Sequence, residues 1–200
     1  MIVIGVPVPK DYSIDVRTAA YCSAEAMRPG VQWGYVRSRE AGVGRSTFAY
    51  NVLKDPEVTH LYFMDSDVVP PLGSLQKLLA HDLPIVAGIY PMMANKLVWS
   101  FKTGDWWKDA SESLGDELIK ATAIGGSTLL IKREVIEKLE NPCFKITYEA
   151  VNEAGRCYDE GEDEYFSRIA IEAGYDIMVD PTIICDHFNY KSLFSIAGKQ

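Results

Sequence analysis

Asp65-Ser66-Asp67 sets two carboxylates one residue apart, directly after the apolar run His60-Leu61-Tyr62-Phe63-Met64. At the carboxyl end of a strand both carboxylates face one crevice, where they cannot both stay ionised cheaply without a cation. That is the pattern of a metal site. A simple turn has the same composition, since Asp and Ser favour turns and Pro70-Pro71 follow closely. A second acidic group, Glu162-Asp163-Glu164, opens a stretch of helical spacing. Carboxylates in a first helical turn are favoured by the macrodipole and the free amides, so composition alone assigns these three no chemistry.

Other residue types suggest roles of the same kind. Arg45 follows Gly42-Val43-Gly44 at the expected start of a helix, where a guanidinium and free helix amides can meet a diphosphate; a surface arginine fits equally. Gly125-Gly126 fits a tight turn between strands. Trp99, Trp106 and Trp107 fit hydrophobic packing, or aromatic faces that stack on sugar rings or apolar acceptors. Of the three histidines, His187 closes a late apolar strand, while His60 and His81 read as structural or exposed.

The chain holding these groups has 200 residues, 48% hydrophobic and 24% charged, enough for one substantial core in one domain. A net charge of -8 leaves no general patch for neutralising nucleic-acid phosphates. An acidic enzyme that handles anions must recruit a cation or place its few Arg and Lys with care. The four cysteines, Cys22, Cys143, Cys157 and Cys185, lie far apart without Cys-x-x-Cys spacing, which suits reduced thiols. The N-terminal apolar stretch is too short and lacks the basic start of a signal peptide, and no run approaches a membrane span. A cytoplasmic protein, at most peripheral at a membrane, is expected.

Hydrophobic spacing sets the elements. Ile2 to Val6 reads as a buried strand ended by Pro7 and Pro9, and a helix runs from a Ser13 cap to about Arg28, stopped by Pro29-Gly30. Val31 to Val36 is a second strand, and a flexible Glu40 to Arg45 leads into a helix carrying Phe48, Val52 and Leu53. The strand before Asp65 is followed by a helix marked by Leu72, Leu75, Leu78 and Leu79, then by the strand Ile85 to Tyr90. This alternation predicts a three-layer α/β domain with a mainly parallel central sheet, whose ligands bind beyond the carboxyl ends of the strands. Residues 91–118 read as an irregular aromatic insertion. Strands at 118–124 and 128–132, a helix at 133–139, a helix from Glu162 to Ala173 and late strands at 177–179 and 182–185 complete the order.

An apolar strand closing on Asp-Ser-Asp, a Leu-rich helix and then Ile85-Val86-Ala87-Gly88 together resemble the core of the GT-A glycosyltransferases. The resemblance extends to four separated motifs in the superfamily's order: Asp65-Ser66-Asp67 as its DXD motif, Gly125-Gly126 as its glycine loop, Glu162-Asp163 in its xED motif, and His187 as its C-terminal histidine. Gly161 to Arg168 is similar to the matching segment of inverting galactosyltransferases and family 2 glycosyltransferases. It implies the GT-A, Rossmann-like nucleotide-diphospho-sugar transferase fold, with residues 1–90 as the nucleotide-binding half and 91–200 as the acceptor-binding and catalytic half. It implies a nucleotide-diphosphate sugar donor, a UDP-sugar before a GDP-sugar, and a divalent cation held by Asp67 and His187 with Asp65 supporting. Imidazole among the ligands favours Mn²⁺ over Mg²⁺. Asp163 becomes the general base for an inverting transfer to an acceptor hydroxyl, with Glu162 the alternative. Gly125 and Gly126 would lie against the donor sugar, Pro7 and Val8 would border the base, Arg45 would meet the diphosphate, and Arg37 and Glu40 are weaker donor contacts. A noncatalytic nucleotide- or glycan-binding module of the same fold stays open, as does a sugar-phosphate nucleotidyltransferase, although Val6-Pro7-Val8-Pro9-Lys10 lacks the glycine- and lysine-rich loop the latter needs. The small size suits a bacterial, archaeal or viral enzyme.

Overall fold

The apolar runs do become strands, and their side chains alternate between two cores. A computed structural model describes residues 1–10, 12–94, 96–149 and 158–188; Cys157 lies outside the described residues. The elements are β1 (Ile2–Pro9), α1 (Val16–Ala26), β2 (Val31–Ser38), α2 (Ala41–Lys54), β3 (His60–Phe63), β4 (Val68–Val69), α3 (Ser74–Ala80) and β5 (Ile85–Ile89). There follow β6 (Pro91–Met93), β7 (Leu97–Thr103), β8 (Trp106–Asp109), β9 (Ile119–Ala121), β10 (Ala123–Ile124), β11 (Leu129–Lys132) and α4 (Arg133–Lys138). Last come β12 (Thr147–Glu149), β13 (Tyr158–Glu160), α5 (Glu162–Glu172), β14 (Ile177–Ile184) and β15 (Asp186–His187).

The central sheet has seven strands in the order β2-β1-β3-β11-β5-β14-β9. Strands β2, β1, β3, β5 and β14 share one direction, so the sheet is mainly parallel as expected; β11 and β9 run against it. Its two faces bury successive residues of each strand, which is why the strands read as continuous apolar runs. On one face Leu61, Phe63, Ile85, Ala87, Leu129 and Ile131 pack with Phe48 and Val52 of α2, Val135 and Ile136 of α4 and Phe166 of α5. On the other, Ile4, Val6, Val8, Tyr62 and Met64 pack with Tyr21 and Cys22 of α1 and Leu75 and Leu78 of α3. Three layers result. Cys22, Cys143 and Cys185 are free thiols, each pushed up to about 12 by burial.

Several local expectations are corrected. Residues 91–118 are irregular only in part: β7 pairs antiparallel with β6, β8 and β10, and the β7–β8 turn uses Gly104 at φ 72°, while 110–118 carries no helix or strand. The cap of α1 is Asp15, whose carboxylate accepts from the Arg17 amide at 2.7 Å, in place of Ser13. α2 begins at Ala41, so the stretch expected to be flexible is helical. Its glycines are there for close approach: a Cβ on Gly42 would sit 2.9 Å from Glu162 Cβ, and one on Gly44 would sit 2.9 Å from Pro7 Cβ. α5 ends as expected, with Gly174 at φ 92° after its cap. Among the described residues no helix is long and apolar enough to cross a membrane.

Candidate active site

Beyond the carboxyl ends of β1 and β3 lies a cavity of about 220 Å³ lined by Pro7, Pro9, Tyr12, Ala41, Arg45, Asp65, Ser66, Asp67, Glu162 and Asp163. It gathers the Asp-x-Asp and the start of α5 into one space. Strand alternation decides what β1 contributes: Pro7 and Pro9 line the cavity, whereas Val8 turns to the opposite face and is buried against α1 and α3. Val8 is thereby corrected as a donor contact. Pro9, Tyr12 and Ala41, which the sequence did not single out, stand there instead.

Arg45 occupies the centre of this arrangement. It is 3% exposed, and its Nη1 donates to Glu162 Oε1 at 2.7 Å, its Nη2 to Asp65 Oδ1, and its Nε to the Gly126 carbonyl at 3.3 Å. One buried guanidinium therefore ties α2 to β3, α5 and the glycine loop. Burial works against its charge, but Asp65, Glu162 and Asp163 around it hold its pKa above the ordinary value. Arg45 lies in the second turn of α2 and not at the helix start expected, and its charge is engaged by two carboxylates at the cavity wall. The glycine loop is explained by the same side chain. A Cβ on Gly126 would lie 2.4 Å from the guanidinium carbon, and one on Gly125 would lie 2.2 Å from the Tyr90 hydroxyl. In this structure both glycines make room for protein groups.

The carboxylates around Arg45 are crowded. Burial raises the pKa of Asp65, and the charges of Asp67 and Glu162 add to that rise while Arg45 opposes it. Asp163 is raised to about 6, first by burial and then by the neighbouring Glu162 charge. The Glu164 amide donates to Asp163 Oδ1 at 3.0 Å, and the Ser167 hydroxyl donates to the Asp163 carbonyl at 2.7 Å, fixing its place in the first turn. A carboxylate that titrates near neutrality at the wall of a cavity is suited to accept a proton. Glu162 is instead held by Arg45.

Asp67 and His187 meet through a short ladder. β15 pairs antiparallel with β4, setting His187 opposite Val68, and the Phe188 amide donates to the Asp67 carbonyl at 2.8 Å. His187 Nε2 lies 3.7 Å from Asp67 Oδ2. The other ring nitrogen, Nδ1, is 2.8 Å from the Pro91 carbonyl, a partner that can only accept, so Nδ1 carries the proton in the neutral ring and the Nε2 lone pair faces Asp67. The Asp67 carboxylate beside it raises the His187 pKa, and Tyr90 packs edge-on against its ring at 5.3 Å. Among the described residues no three His, Cys, Asp or Glu side chains converge to hold an ion by themselves. An imidazole nitrogen and a carboxylate facing each other fit a cation that takes its remaining ligands from a bound phosphate.

The remaining candidates lie elsewhere. Arg37 is exposed, donates to the Lys10 carbonyl at 3.0 Å, and lines a separate cavity of about 790 Å³ with Lys10, Ser38, Arg39 and Glu40. The three tryptophans form no single surface. Trp99 is partly buried against the core opposite Pro91, Trp106 is 81% exposed opposite Thr103, and Trp107 lies under Lys102, whose Nζ is 4.9 Å from its ring centre. Lys102 also pairs with Glu164, which tethers the β7–β8 hairpin to the start of α5. Ser127 and Tyr90 were missed. The Ser127 hydroxyl meets the Asp65 amide at 2.9 Å, and the buried Tyr90 feels the charges of Asp65 and Asp163.

No protein-family model matches the chain, and no curated protein matches it. Solved structures do. It is similar to A197 from STIV, with a TM-score of 0.70 and 21% identity over 94% of this chain and 85% of that one. It is similar to GalNAc-T7, solved with UDP, GalNAc and Mn2+, with a TM-score of 0.55 and 13% identity over 94% of this chain, which spans 44% of that chain's length. It is also similar to the inositol-1-phosphate CTP transferase from T. maritima, with a TM-score of 0.50 and 10% identity over 98% of this chain and 94% of that one. At these identities the likeness is one of fold, a three-layer α/β arrangement with a mainly parallel sheet, consistent with the GT-A, Rossmann-like fold.

Proposed function

We propose that this chain is a metal-dependent glycosyltransferase that moves a sugar from a nucleotide-diphosphate donor to an acceptor hydroxyl with inversion. The observation that carries this is one cavity that Asp65, Asp67, Glu162 and Asp163 share with a single buried arginine paired to Asp65 and Glu162, with His187 facing Asp67. Asp67 and His187 would hold the cation, Mn²⁺ before Mg²⁺, which when bound neutralises charge developing on the leaving diphosphate. Asp65 orders the site through Arg45 and the Ser127 hydroxyl. Asp163 takes the acceptor proton as the acceptor oxygen attacks the anomeric carbon, and Glu162, held by its ion pair with Arg45, orients groups beside it. Pro7, Pro9 and Tyr12 border the nucleotide, with Arg37 further out. The structure of GalNAc-T7 with UDP and Mn2+ supports a UDP-sugar as the first donor to try.

A thermal-shift screen of nucleotide diphosphates and nucleotide sugars, with and without Mn²⁺, tests the donor half. Metal-dependent stabilisation by at least one of them is expected, and none with any would count against the whole reading. Asp163→Asn tests the chemistry: transfer should fall by roughly 10²–10⁴-fold with donor stabilisation retained. An unchanged rate would return the chain to a noncatalytic module. The likeness to a CTP transferase favours a second reading, nucleotidyl transfer to a sugar phosphate in the same cavity. Pyrophosphate release from a nucleoside triphosphate with a sugar phosphate would identify it.

A further inference from the structure

A larger cavity, about 790 Å³, runs along the outer face of α2 and is walled by Val43, Tyr50, Pro142, Phe144, Ile146 and Tyr148. Val43 and Tyr50 are seven residues apart and share one helix face. Four of the wall residues are large, apolar and turned outward: Val43 is 53% exposed, Tyr50 53%, Ile146 36% and Tyr148 73%. The floor is firmly built. The Ser46 hydroxyl donates to the Phe144 carbonyl at 2.8 Å, and the Phe144 ring stacks on Phe166 of α5 with centroids 4.5 Å apart and planes 9° from parallel. A groove of this volume has the size of a small-molecule site, and apolar walls select an apolar body because hydroxyls buried there would lose water without gaining partners.

The groove does not stand apart from the candidate active site. Its end is formed by Glu40 and Gly42, while Ala41 between them lines the donor cavity, and Gly42 packs directly on Glu162, the neighbour of Asp163. A molecule lying along α2 would thus end beside the Gly42–Glu162 contact, with the first turn of α2 between it and the donor cavity. We propose that this groove is the acceptor subsite and that it takes an amphiphile, a hydroxyl-bearing head on an alkyl or aryl body, in preference to a free sugar. This rests on the transferase reading, and it moves the apolar part of acceptor recognition from the tryptophan hairpin to α2 and the 141–148 segment.

The probe is octyl β-glucopyranoside below its micellar concentration, compared with methyl β-glucopyranoside, with binding followed by saturation-transfer NMR and calorimetry in the absence of donor. The octyl compound should bind on the order of a hundredfold more tightly, since several methylenes leave water. Tyr50→Ser with Ile146→Ser, both exposed positions, should weaken it roughly tenfold or more and leave stabilisation by UDP with Mn²⁺ unchanged. Equal binding of the two glycosides overturns the proposal. So does octyl binding that survives the double substitution, or a dimer of the chain that the same substitution dissolves. Octyl binding at the groove without any metal-dependent nucleotide binding keeps an apolar ligand site and sinks the transferase reading instead.

Discussion

Two regions of the molecule take carboxylates out of water, one fully and one at a cavity wall, and treat them in opposite ways. Asp180 in β14 is 2% exposed and meets the Thr182 amide at 3.0 Å, the Thr182 hydroxyl, His81 Nε2 at 2.9 Å and Lys77 Nζ at 3.2 Å. Burial alone would raise its pKa, but these partners outweigh burial and hold it below the ordinary value. Asp163, at the cavity, accepts one amide hydrogen bond, sits beside Glu162, and is raised to about 6. The first carboxylate is a clip joining α3 to β14. The second is left short of partners where a ligand can reach it, and an acid held away from its ordinary pKa in a cavity is available for chemistry. Desolvation pushes both pKa values up, so hydrogen bonding separates the structural acid from the candidate functional one.

The comparison breaks most sharply at Arg45. Arg45→Met leaves Asp65 and Glu162 crowded without their cation and should lower stability by about 3–5 kcal/mol in urea unfolding. Arg45→Lys should recover only part of that, because an ammonium cannot span Asp65, Glu162 and the Gly126 carbonyl together. Next, Asp180→Ala should cost about 3 kcal/mol at pH 7. A depressed carboxylate stabilises above its unfolded pKa and loses that contribution as pH falls through the folded one, so the deficit should shrink in acid. Asp163→Asn should act with the opposite sign. Its folded pKa lies above the unfolded value of 3.8, so ionisation destabilises the native state at high pH, and without metal the variant should gain about 3 kcal/mol at pH 8. That gain should fade as pH drops through 6 and be gone near 4. Parallel pH profiles for the two carboxylates would abolish the distinction between them. The smallest effect belongs to Trp106→Ala, less than about 0.5 kcal/mol, because the ring is 81% exposed and packs on little.

What could be read from sequence followed from burial. The cores of β1, β3 and β5 are apolar on both faces, so their positions and the Asp-x-Asp at the end of β3 were legible as an uninterrupted run and a break. Direction was not: Leu129 to Lys132 has the same apolar character whether it runs with or against β3, and only the fold turns it antiparallel. The β7–β8 hairpin was hidden because one of its faces is wet and its strands mix Trp, Lys and Asp. The signal that would have found it is Gly104-Asp105 between Phe101-Lys102-Thr103 and Trp106-Trp107. Arg45 was noticed for its charge, but its partners lie at positions 65, 126 and 162, and no local pattern carries contacts of that range. For the same reason Gly126 was read as space for a ligand when the space belongs to the arginine.

The two-residue ladder between β4 and β15 has a temporal side. It brings together positions 67 and 187, which are 120 residues apart. Closing so long a loop is slow compared with forming a helix or a hairpin, so the Asp67 and His187 pair should be among the last contacts made as the chain folds and among the first undone. A cation chelated by both would then act as a latch on that closing step. Removing it should quicken local opening at β4 and β15 while the amides of β1 and β3 keep their protection in hydrogen exchange.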